Sequence, residues 1–144
     1  MFLNRRIIAV SLLALIPVSS GRALQGQTIN DKDIHVIDFQ DMPYPHIARF
    51  VRVQGTVVVR ISLDEGGKVV DATAVAGPQL LVPDTLVNAK KWTFQPNAEK
   101  AALIVYNFVI LDGKCKSRDS LFILQGANLA TVITCPLPPK TWAP

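Results

Sequence analysis

The segment GTVVVRISLDEGGKVVDATAVA, residues 55–76, constrains the fold more than any other part of the chain. Val57, Val59, Ile61 and Leu63 fall on one face of a strand, while Thr56, Arg60, Ser62 and Asp64 share the other face with Val58. The alternation breaks at Asp64-Glu65-Gly66-Gly67, where two glycines can take positive φ, as a tight turn requires. Residues 68–76 then return as a second strand, with Val70, Ala72 and Ala74 on one face. The pattern predicts a β-hairpin. Asp64 and Glu65 can be read as paired carboxylates for acid–base chemistry or as solvated turn residues, and their turn position favours the second reading.

Segments of helical spacing flank the hairpin. In DMPYPHIARFVRVQG, Pro45 suits a first helical position and Gly55 the residue just past the end. Ile47, Phe50, Val51 and Gln54 form one stripe, and Arg49 and Arg52 fall off it. A short amphipathic helix of about two and a half turns is expected. In DTLVNAKKWTFQP, Asp84 is a candidate N-cap, Leu86 and Ala89 lie three apart, Lys90 and Lys91 favour the C-terminal end, and Pro96 stops the helix. Trp92 and Phe94 straddle that end and are expected to fill the space between helix and sheet.

The run ALIVYNFVIL, residues 102–111, is apolar at nearly every position, with Ile104, Tyr106, Phe108 and Ile110 on one side. Such a strand must be covered on both faces or paired along an edge. Placing this third strand beside the first makes every pair antiparallel. The expected fold class is α+β: a small antiparallel sheet in the order second–first–third, with two helices on one face. The third strand is then an edge.

The chain opens with MFLNRR, the apolar run IIAVSLLALIPV and the small residues SSGRA, the layout of a secretory signal peptide cut after Gly21 or Ala23. The alternative is a membrane anchor, although a span needs about 20 apolar residues. The expected division is a leader at 1–23, a lead-in at 24–40 with an extended piece at IHVIDF, a domain at 41–113 and an extension at 114–144. Without Arg5, Arg6 and Arg22, the 15 basic residues fall to 12 against 11 acidic ones. No basic cluster interleaves with aromatic residues, so no nucleic-acid footprint is left.

Export would place the two cysteines in an oxidising compartment, where they most simply form one disulfide, Cys115–Cys135. His35 and His46 are too distant in sequence to complete a recognisable zinc spacing, and a reactive thiol would need an activating neighbour. No nucleophile–base–orienter set, phosphate loop or cofactor motif is present, so neither catalytic residues nor a cofactor are assigned. His46 reads as a solvated helix-start residue.

Tyr44-Pro45, Ala48, Gly55, the alternating GTVVVRISLDEGGKV, Ala89 and Trp92 ahead of Phe94 and Pro96, and the last apolar strand occur in an order that resembles the C-terminal domain of TonB-type energy transducers (a TonB/TolA C-terminal-like fold) over residues 42–111. The resemblance implies a non-catalytic periplasmic module whose partner is a protein. It grips an extended segment of an outer-membrane receptor, the TonB box, by adding it as a strand beside the third strand. Partner-binding residues so implied are Val105, Tyr106, Asn107, Phe108 and Val109 along that edge, with Tyr44 and Pro45 at the opening of the first helix. The same edge could pair two copies. A full transducer keeps a membrane helix and a long proline-rich spacer, whereas residues 24–40 reach at most about 60 Å when extended. The expectation is therefore a stand-alone form exported to the periplasm or cell envelope of a Gram-negative-type bacterium. An anchored transducer, touching the membrane through a retained leader, is the alternative.

The tail CKSRDSLFILQGANLATVITC adds two apolar arms around QGAN, read as a disulfide-closed hairpin. A disulfide brings Cys135 within about 7 Å of Cys115, just past the third strand. Either one arm runs antiparallel to that strand and occupies its edge, or the hairpin packs elsewhere and the disulfide acts only as a staple.

Overall fold

The structure, a computed structural model, describes residues 34–112, 115 and 119–138. The leader and the first part of the lead-in lie outside them. The described elements are β1 (Val36–Asp38), α1 (His46–Phe50), β2 (Gly55–Leu63), β3 (Val69–Ala76), α2 (Val82–Ala89), β4 (Thr93–Phe94), β5 (Ala101–Ile110), β6 (Leu121–Gln125) and β7 (Leu129–Thr134). No helix among them is long and apolar enough to cross a membrane.

The hairpin of β2 and β3 forms as its alternation dictates, and Val57, Val59, Ile61 and Leu63 are all buried. Asp64 organises the turn by accepting hydrogen bonds from the Gly66 and Lys68 amides, each 2.9 Å long. Glu65 instead makes an exposed ion pair with Lys100. Both carboxylates are thus turn residues. At Gly67, φ is +81° and a Cβ would overlap the Phe94 carbonyl, so glycine is required there. On β3, only Ala72 of the expected face is fully buried. The register shift between Ser62/Leu63 leaves Val70 out of the pairing and exposed, and the shift between Val58/Val59 does the same to Val75.

Strands pair in the order β3-β2-β5-β7-β6, so the three strands read first take the expected order. The sheet, however, is mixed rather than antiparallel: β5 and β7 run parallel, while β6 and β7 are antiparallel. Geometry at the disulfide explains the direction. Cys115 follows the C-terminal end of β5, Cys135 follows that of β7, and their Cα atoms are 5.6 Å apart. Two strands whose C-terminal ends are tied side by side must run the same way. The outer arm, β6, makes the antiparallel return.

One sheet face is covered. Ala102, Ile104, Tyr106, Phe108 and Ile110 of β5 and Ala130 and Val132 of β7 continue the buried surface of β2. Tyr44, ahead of α1, meets Phe108 edge-on at 5.4 Å, and Trp92, after α2, lies 5.8 Å from Tyr106. Trp92 and Phe94 are fully buried, as their place at the helix end predicts.

The helices differ from expectation in detail. α1 has only five residues, and the stripe Ile47, Phe50 and Val51 points outward, with Ile47 65% exposed, whereas Ala48 is buried. So short a helix turns one small side chain inward, which allows close approach. Arg52 ends it in a left-handed conformation, φ 59°, with the Val53 amide reaching back to the Ala48 carbonyl at 2.8 Å. α2 starts before Asp84, with Leu81 at the N-cap position and a proline in the first turn; Asp84 falls within that turn, where its charge suits the helix dipole. Beyond α2 the chain forms β4, which pairs with β1. Ile34 and β1 therefore pack with the domain, and Ile34 belongs to its core.

Candidate partner-binding edge

All five residues expected along the binding edge lie on β5, between two neighbours. β2 flanks one side, and on the other Val105 faces Leu129, Tyr106 faces Ala130, Asn107 faces Thr131, Phe108 faces Val132 and Val109 faces Ile133. The Val105 amide donates to the Asn128 carbonyl at 2.8 Å, and the Leu111 amide to the Thr134 carbonyl at 2.9 Å. The edge that resemblance makes available is thus filled by the chain's own tail, in parallel rather than antiparallel orientation. Tyr106 and Phe108 point into the core; Val105, Asn107 and Val109 are half-buried on the opposite face.

Tyr44 and Pro45 lie on the covered face and not at the strand edge. The Tyr44 hydroxyl donates to the Val53 carbonyl at 2.6 Å, its amide donates to Ser120 Oγ at 2.9 Å, and Pro45 is buried. Burial pushes the Tyr44 hydroxyl up to about 12. These residues join α1, β5 and the start of β6. Nearby, the Arg49 guanidinium donates to the Cys135 carbonyl at 2.8 Å, tying α1 to the disulfide. An open cleft of about 520 Å³ runs past Asp41, Tyr44, His46, Asp84 and Lys91; its walls mix both charge signs and select for neither.

Beneath β5 sits a polar hub that the sequence pattern does not single out. Asn88 accepts hydrogen bonds from Trp92 Nε1 at 3.0 Å and from the Tyr106 hydroxyl at 2.9 Å. Its own amide donates to the carbonyls of Gln40 and Asp41. Burial raises the Tyr106 hydroxyl's pKa strongly. Gln54 falls on the apolar stripe of the α1 pattern, but its Oε1 accepts from the Ile110 amide at the end of β5. An asparagine four residues before a buried tryptophan is the one sequence signal that could have revealed the hub.

The tail hairpin is integrated by packing as well as by pairing. Phe122 of β6 stacks on Phe39 at 5.9 Å and meets Trp92 at 6.3 Å. It therefore extends the covered face, and the disulfide is more than a distant staple.

The sequence model described as Gram-negative bacterial TonB protein C-terminal matches residues 40–109. No curated protein and no solved structure matches the chain significantly. The matched residues run from the end of the lead-in through α1, the β2–β3 hairpin and α2 to β5, and stop short of the tail hairpin. Over residues 40–109, the chain carries a domain of the Gram-negative bacterial TonB protein C-terminal family.

Proposed function

We propose that the protein is a non-catalytic interaction module of the bacterial envelope that binds an extended segment of another protein by adding it to its sheet beside β5. Membership of the family supports an interaction role. The observation that carries the strand-addition reading is the β5–β7 seam, six residues in register, because it presents β5 as an edge that accepts a strand. An incoming TonB-box-like segment of an outer-membrane receptor would take the place of β7. Main-chain hydrogen bonds along Val105, Tyr106, Asn107, Phe108 and Val109 would supply affinity, and alternate side chains would supply selectivity. Tyr44 backs that strand through Phe108, and Pro45 precedes α1 beside it. The tail hairpin is then an internal occupant of the same seat, held by Cys115–Cys135.

The test is site-specific photo-crosslinking from Val109 in envelope extracts, with the oxidised protein compared with Cys115→Ser. An extended receptor segment should crosslink, and more strongly in the variant, whose tail is untethered. Absence of a crosslinked protein in both forms would sink the reading.

A further inference from the structure

The sheet ends in two edge strands of different character. β3 pairs through two register shifts and carries Asp71, both of which blunt an edge. β6 pairs with β7 without a shift, and Leu-Phe-Ile-Leu-Gln contains no charge, proline or glycine. Among the described residues no strand lies on its outer side. Leu121 and Ile123, 57% and 36% exposed, face out, while Phe122 and Leu124 face the core side, where Phe39 extends the apolar surface.

We propose that β6 is a self-association edge, and that its occupant is the β6 strand of a second copy of this chain, paired antiparallel about a two-fold axis at Ile123. A strand added here must be apolar on both sides, one meeting Leu121 and Ile123 and the other meeting Phe122 and Leu124. β6 itself meets the inward demand in full and the outward one at Ile123, with the aliphatic stem of Gln125 lying against Leu121. In an antiparallel pair centred on Ile123, Leu121 faces Gln125 of the partner copy, Phe122 faces its Leu124, and Ile123 faces its own counterpart. Outward residues thus meet outward residues and inward meet inward. No charges are set opposite each other within the paired strands. The interface is isologous, as a closed dimer requires, and it joins two five-stranded sheets into one. Five strand residues a side bury less than a standard stable interface, so the dimer is weak and dissociates on dilution.

Sedimentation of the oxidised chain across a wide concentration series, without any other protein, tests this. A reversible monomer–dimer equilibrium is expected. Ile123→Lys, which sets two ammonium groups across the axis from an exposed position, should abolish it. Val70→Lys on the exposed part of β3 should leave it unchanged. Mixing Ile123→Lys with Ile123→Glu should restore association, which misfolding of either variant could not do. A wild type that stays monomeric throughout would overturn the proposal, including the case in which β6 is filled only by a foreign peptide. So would an Ile123→Lys dimer of wild-type affinity. Because no receptor segment is present, failure here leaves the reading of β5 untouched.

Discussion

Asn88 holds four hydrogen bonds in a buried position, joining the lead-in, α2, Trp92 and β5. A buried donor or acceptor left without a partner costs about 1–3 kcal/mol, and Asn88→Ala orphans both the indole N–H and the Tyr106 hydroxyl. The expected loss is about 2–4 kcal/mol in denaturant unfolding, with an unchanged slope. A loss below about 0.5 kcal/mol would show that water replaces the amide. Tyr44 and Tyr106 give the molecule an alkaline limit. Unfolded, each hydroxyl releases its proton near its ordinary value of about 10; folded, Tyr44 holds its proton up to about 12, and Tyr106 shifts further in the same direction. The folded state therefore binds more protons above the ordinary value. The stability due to these groups is complete below it and declines as pH rises through the interval. Unfolding midpoints should fall on raising the pH through this window, and more gently in Tyr106→Phe. Equal declines in the two proteins would reject the assignment. At this scale the sequence pattern was a partial guide. It marked Trp92 and Phe94 for the core, but beyond the spacing of Asn88 to Trp92 it did not show the roles of Asn88 and Gln54, most of whose partners lie far along the chain.

Among elements, the tail hairpin does most to change the domain. Its disulfide closes a loop across a separation of 20 residues, worth about 3 kcal/mol in the chain-entropy model. Burial of Val132 and the partial burial of Phe122 add to its hold. Amide exchange along Ala101–Ile110 should be slow in the oxidised protein and faster by about a hundredfold in Cys115→Ser, if opening of the tail is the exchange route and the loop entropy is its main barrier. Equal rates in the two forms would show that packing alone keeps the tail seated. The hairpins were legible because a period of two survives any environment that covers one face. Direction was harder: β-branched residues mark an arm as a strand without saying which way it runs. The cysteine positions did contain that information, since both close the C-terminal ends of strands. In α1 the apolar stripe misled, because a five-residue helix is placed by its neighbours and by Ala48, not by its own amphipathicity.

For the whole molecule, the five-stranded sheet has one covered face, and one core cluster includes residues from Ile34 to Val132. The domain matched at residues 40–109 supplies most of that core, and the tail completes its margin. Chain order adds a consequence in time. β7 is the last described strand to be synthesised, and it pairs with a strand finished well before it. Before β7 is added, a folded β2–β3–β5 sheet would have its β5 margin uncovered. Whatever met the chain in that state would face a different molecule from the finished one, and the Cys115–Cys135 bond, tying the C-terminal ends of β5 and β7, closes the margin.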